Sequence, residues 1–112
     1  MTYEFVINTL AEQFHTNACN HGWYEQKREI PELIALIHSE ASEALECYRN
    51  YEMLTEIRES DGKPEGLPSE LADIVIRVLD MAAYLELDIG TEIMRKHEYN
   101  KTRPHRHGDK KA

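Results

Sequence analysis

Apolar residues recur at helical spacing along most of the chain, and the breaks in that rhythm divide it into four segments. Over residues 3–17, Tyr3, Val6, Ile7, Leu10 and Phe14 share one side of a first helix, with Ala11 at its margin and Phe5 outside it. Residues 18–29 contain Asn20, His21, Gly22 and Trp23 and read as an irregular connection. Pro31 suits the first turn of a second helix. Its inward face is Leu33, Ile37, Ala41, Ala44 and Tyr48, and the pattern runs on to about Arg58. The stretch ESDGKPEGLPS then ends any helix through Gly62, Pro64, Gly66 and Pro68. A third helix starts near Pro68 and reaches about Leu87. Asp88 suits the cap of a fourth, which is interrupted near its start by Gly90 and fades near Asn100. No segment alternates convincingly, so the pattern predicts no strand and an all-α helical bundle of about four helices.

The third helix has the polarity of a central element. With Ile74 as reference, Leu71, Val78, Met81, Ala82 and Leu85 lie near it. Val75, Ile76, Leu79 and Ala83 cover much of the opposite side. Its charges, Glu70, Asp73, Arg77 and Asp80, are confined to one narrow stripe beside Tyr84. A helix apolar over most of its circumference is buried from several sides, which implies a bundle completed by oligomerisation or a central place within it.

Within these helices two acidic pairs stand out. Glu40 and Glu43, and again Glu70 and Asp73, are three residues apart, so each pair shares a helix face where like charges repel. Glu40 falls inside the apolar arc of the second helix and Glu43 at its edge, whereas Glu46 points away. A buried carboxylate needs a partner. Arg77, four residues after Asp73 and three before Asp80, is placed to bridge those two and cannot also neutralise Glu40, Glu43 and Glu70. Asp80 is therefore read as the partner of Arg77 in preference to a metal ligand, and Arg77 equally suits contact with a phosphate. Divalent cations would meet the remaining demand, and an all-oxygen ligand set selects Mg²⁺, with Mn²⁺ as the alternative. Each acidic pair alone also fits an ordinary solvated helix face.

At 112 residues the chain fits one domain, here 1–102, followed by a basic tail over 103–112. The net charge of −8 is uneven. Residues 1–94 hold 6 Lys and Arg against 19 Asp and Glu, while residues 95–112 hold 7 against 2. So acidic a body argues against a nucleic-acid polymer as partner, but metal ions can bridge it to a polyanionic small molecule. Cys19 and Cys47 form no zinc pattern, the start of the chain does not read as a secretory signal, and no apolar stretch approaches a membrane span. A cytoplasmic location, away from membranes, is expected. No Gly-rich phosphate loop of the GxxxxGK[ST] type and no Ser-His-Asp or Cys-His pattern is evident, so neither P-loop chemistry nor a protein nucleophile is expected.

Taken together, LIHSEASEALECYR (36–49), SELADIVIRVLDMAAYL (69–85) and KHEYNKTRPHRHG (96–108) resemble the MazG-like, all-α nucleoside triphosphate pyrophosphohydrolases. That family's pattern is ExxE, a variable gap (here 26 residues), ExxD, then a downstream Asn and basic residues. The resemblance implies Mg²⁺ bound through Glu40, Glu43, Glu70 and Asp73. It implies hydrolysis of a nucleoside triphosphate, with a deoxynucleoside triphosphate favoured, to the monophosphate and pyrophosphate, and assembly as a homodimer or homotetramer. It also makes Asn100 a contact to the nucleotide or its phosphates, and Lys96, Lys101 and Arg103 phosphate contacts. Attack by water falls on the α-phosphorus, with Glu43 the candidate proton acceptor.

Several residues carry two readings. Trp23 and Phe14 suit an aromatic wall for a base, or space-filling anchors. His21 and His15 suit hydrogen bonds to base or sugar, or ordinary polar and capping roles. Tyr84 either reaches the site or packs. The rival functions are phosphoribosyl-ATP pyrophosphatase, on related helices and acids, and a non-enzymatic helical oligomerisation or adapter module whose acids are merely solvated.

Overall fold

The computed structural model describes residues 1–50 and 54–104. Four helices account for most of them: α1 (Tyr3–Asn20), α2 (Ile30–Asn50), α3 (Leu67–Tyr84) and α4 (Ile89–Lys101). The expected all-α bundle is present, with one addition. Between α2 and α3 lies a small antiparallel hairpin, β1 (Arg58–Ser60) and β2 (Lys63–Glu65), pairing Arg58 with Glu65 and Ser60 with Lys63. None of the described helices is long and apolar enough to cross a membrane.

Helix α3 is central, as its apolar circumference predicts. It packs against α1 on one side and α2 on the other, and also meets β2 and α4. Among the described residues α2 meets no other helix, and α4 packs mainly against α1. The buried apolar residues are Ala11, Leu33, Ala44, Cys47, Leu79 and Ala82, mostly small. Leu71 and Val75 on α3 remain 50% and 54% exposed, so a single chain leaves part of this helix's apolar surface open.

The ends of the elements follow local chemistry. Thr2 caps α1, its hydroxyl accepting from the Phe5 amide at 3.1 Å. Asp88 caps α4 as expected, accepting from the Thr91 amide at 3.2 Å. Helix α3 stops at Tyr84, short of the expected Leu87, because Glu86 turns left-handed (φ 59°). The Leu87 amide then donates to Ala82 O and the Glu86 amide to Ala83 O, the paired bonds that close a helix C-terminus.

Helix α2 is described to Asn50 and does not reach Arg58. Part of the expected extension, residues 51–53, lies outside the described residues, as do residues 105–112 of the basic tail. Arg58 itself belongs to β1. The turn Asp61-Gly62 has positive φ at both positions (53° and 81°), the conformation that lets two strands join through two residues.

At the other end of the bundle, α1 and α4 approach closely at Gly90. A Cβ there would lie 2.4 Å from Glu4 O, so only glycine fits without backbone movement. Asn8 ties the same junction. Its amide donates to Asp88 Oδ1 (2.7 Å), and its carbonyl accepts from the Gly90 amide (2.8 Å).

Candidate metal centre

Helices α2 and α3 lie side by side, and that packing brings acids from both into one place. Glu40, Glu43 and Glu70 each offer a carboxylate oxygen within 4.8 Å of the other two. Oxygens sharing one Mg²⁺ lie about 3.0 Å apart when cis and about 4.2 Å when trans, so the three side chains need to close in to share one ion, with water filling the rest of its shell. The donor set fits a hard cation on a second ground. Oε2 of Glu40 and Oε2 of Glu70 are buried without a hydrogen-bond partner. Buried carboxylate oxygens left in that condition are costly, and a cation between them removes the cost. Behind the acids, burial pushes the Cys47 thiol up and the nearby Glu70 charge adds to this, while Arg58 opposes it. A neutral thiol is a poor metal ligand, which leaves the oxygens as the donors.

Asp73 lies outside this trio. It faces Glu40 from α3, and desolvation, followed by the Glu40 charge, pushes its carboxyl up, with Arg77 and Lys63 opposing. Lys63, on the hairpin, is therefore a cation beside the site that the sequence pattern did not single out. The acids on α2 and α3 are thus neighbours, but the structure assembles three of the four expected ligands into one cluster.

Arg77 does not take the partner expected for it. Its Nε donates to Glu40 Oε1 at 3.3 Å, across the α2–α3 interface, and its guanidinium lies 3.7 Å from the centre of the Trp23 ring. Asp80 is instead buried and held by Tyr24 and His15. The Tyr24 hydroxyl donates to Oδ2 at 2.8 Å, and His15 Nδ1 lies 2.9 Å from Oδ1. Burial first, and then Asp80, raise the Tyr24 hydroxyl well above its ordinary value, so it stays a neutral donor. Tyr84 packs: its ring stacks on Tyr24 at 4.4 Å, and its hydroxyl accepts from the Arg28 amide at 3.0 Å. Spacing along α3 favoured partners on the same helix, whereas the folded packing supplies partners from α1, α2 and the α1–α2 connection.

Next to the acids a cavity of about 320 Å³ opens between α1, α2 and α3. Phe14, His21 and Trp23 supply its aromatic lining, Glu40 and Asp73 its acidic edge, and Arg77 a cation. Glu40 belongs both to the acid trio and to this cavity. Asn17 also lines it and was not a candidate from sequence; the available signal was its place one turn before His21. His21 Nδ1 lies 2.8 Å from Asn17 O, which fixes the imidazole at the cavity wall. His15 is drawn off toward Asp80.

The expected phosphate contacts lie elsewhere within one chain. Lys96 and Arg103 sit over the Tyr99 ring, at 5.3 and 5.6 Å, and Lys101 pairs with Glu98 at 2.9 Å. Asn100 is exposed near the end of α4. None of the four lines the cavity beside the acids.

No family model, curated protein or solved structure matches this chain.

Proposed function

We propose that this chain is a Mg²⁺-dependent nucleoside triphosphate pyrophosphohydrolase of the MazG-like kind, releasing pyrophosphate and a nucleoside monophosphate. The observation that carries the reading is the meeting of Glu40, Glu43 and Glu70 within 4.8 Å, with two of their oxygens buried and unpartnered. The adjoining cavity supports it, since about 320 Å³ lined by Phe14, Trp23, His21 and Asn17 suits a base and sugar.

In this reading Glu40, Glu43 and Glu70 would hold the metal, with Asp73 beside them. The cation would supply Lewis-acid stabilisation of charge on the phosphates. Glu43, exposed at the edge of the trio, accepts the proton of the attacking water. Phe14 and Trp23 hold the base, while Asn17 and His21 meet its polar edge. Arg77 and Lys63, cations beside Asp73, face the phosphates from within the chain. Lys96, Asn100, Lys101 and Arg103 reach phosphates only on a second copy, in a homodimer or homotetramer. The open apolar surface at Leu71 and Val75 favours such an assembly.

The test is pyrophosphate release with Mg²⁺ across canonical and modified ribo- and deoxyribonucleoside triphosphates, with phosphoribosyl-ATP included. Release that stops with EDTA and is lost in Glu70→Gln supports the reading. Release from phosphoribosyl-ATP alone reassigns the substrate. Absence of release from every compound, in folded protein supplied with metal, rejects the reading.

A further inference from the structure

Arg77 occupies two positions that the proposed reaction needs free. It pairs with Glu40, the acid shared by the metal trio and the cavity, and its guanidinium lies 3.7 Å from the centre of the Trp23 ring, an aromatic wall of that cavity. The two contacts are made by one guanidinium, so they are coupled. A guanidinium drawn away from Glu40 must also shift on the Trp23 ring.

Burial gives this coupling its leverage. The Glu40 side chain is only 13% exposed and that of Arg77 23%, so solvent screens their attraction only in part. Glu40 nevertheless has one oxygen on Arg77 and the other buried without a partner. A divalent cation among Glu40, Glu43 and Glu70 would satisfy that oxygen and place two positive charges beside the guanidinium. Repulsion from the cation then offsets much of the attraction that holds Arg77 on Glu40.

We infer that Arg77 is a metal-displaced cover: in the metal-free protein it closes the Trp23 face and competes for Glu40, and a divalent cation releases it toward the anionic part of the ligand. The order of events follows. Metal binds first, the ring is uncovered second, and the released guanidinium is then available to a phosphate, for which its planar donor fork is suited. Nucleotide alone meets a covered ring and an acidic wall. This inference rests on the metal reading of the acid trio and adds to it the regulation of the adjoining cavity.

Trp23 is the only tryptophan in the chain, so its emission reports the cover directly and needs no turnover. Mg²⁺ is titrated into the wild type, Arg77→Met and Arg77→Lys, recording Trp23 emission, quenching by acrylamide, and melting by circular dichroism. In the wild type, Mg²⁺ raises the melting temperature and changes emission and quenching over the same concentration range. Arg77→Met starts without the guanidinium at 3.7 Å, keeping only Arg28 at 5.1 Å from the ring centre; it loses most of the Mg²⁺-dependent emission change and binds Mg²⁺ about tenfold more tightly, the effect of removing one positive charge beside the site. Arg77→Lys retains the competing charge, so its Mg²⁺ affinity stays near that of the wild type.

The inference and the reading beneath it fail differently. Mg²⁺ that stabilises the wild type without altering Trp23 emission or quenching overturns the cover and leaves the metal site standing. So does an Arg77→Met protein that binds Mg²⁺ no more tightly than the wild type. Absence of Mg²⁺ stabilisation in the wild type and in both variants overturns the metal site, and the cover with it.

Discussion

Replacing Glu40 by Gln separates a functional carboxylate from a structural one. In the metal-free protein, Glu40 has two acids within 4.8 Å and one cation at 3.3 Å. At 4.8 Å two unit charges repel by about 0.9 kcal/mol in water and about 3.5 kcal/mol at an effective dielectric of 20. At 3.3 Å the attraction to Arg77 is about 1.3 or about 5 kcal/mol on the same two scales. Two repulsions therefore outweigh one attraction, and Asp73 adds a third. Glutamine keeps an acceptor for Arg77 and turns the unpartnered oxygen into an amide donor facing acids. The expected net effect in EDTA is a stabilisation of about 1 kcal/mol, or about 5 °C in melting temperature for a domain of this size. With Mg²⁺ the order reverses. The wild type gains about 1.4 kcal/mol at ten times its dissociation constant. The variant, lacking a ligand, gains little. Melting followed by circular dichroism, in EDTA and then across a Mg²⁺ series, reads both halves. A Glu40→Gln protein that melts below the wild type in EDTA would refute the reasoning, because Glu40 would then be chiefly the structural partner of Arg77.

Other expectations test the frame around the site. Gly90→Ala forces a Cβ to within 2.4 Å of Glu4 O and costs about 1–3 kcal/mol, read as a lower urea midpoint with unchanged slope. Tyr24→Phe leaves buried Asp80 with His15 as its remaining side-chain partner and costs about 1–2 kcal/mol in the same assay. For Asp73 the folded protein holds its proton more tightly than the unfolded chain, since the carboxyl is pushed up from 3.8. Its contribution therefore destabilises the fold at neutral pH, and the loss is relieved as pH falls toward the raised value. Asp73→Asn in EDTA should be more stable than the wild type at pH 7 and should lose part of the stability gained on acidification; identical pH profiles would remove Asp73 from the account.

How far the sequence could be read depended on whether a partner was local. Asp88 announces α4 because a cap acts within three residues, and the two acidic pairs could be aligned because each lies within one helical turn. The central place of α3 was legible from its apolar circumference. The hairpin was not, because Arg58-Glu59-Ser60 and Lys63-Pro64-Glu65 have no apolar alternation. The clue is Asp61-Gly62, a two-residue turn signal that in this stretch equally fits the end of a helix. Arg77 departs from the pairing its helical spacing favours for the complementary reason. Helical spacing offers Asp73 and Asp80, but Glu40, 37 positions away, and Trp23 are brought to it only by packing. Asp80 and His15, 65 positions apart, meet the same way.

The cations on α4 pose the remaining question of assembly. Within one chain α4 does not meet α2, and Lys101 is engaged by Glu98. If Lys101 serves phosphates, it serves those bound to another copy, and the site is then built from the acids of one chain and the tail-end cations of its partner. Complementation distinguishes that arrangement from one completed within each chain. Glu70→Gln and Lys101→Gln should each be inactive alone. In a dimer formed by mixing equal amounts, half the assemblies are hybrids, and each hybrid holds one site with native acids and native cations. Activity should return to about a quarter of the wild-type value. If subunits demonstrably exchange and no activity returns, each site is completed within its own chain. An active Lys101→Gln protein would likewise shift the phosphate-binding role to Arg77 and Lys63, cations the fold already sets beside the acids.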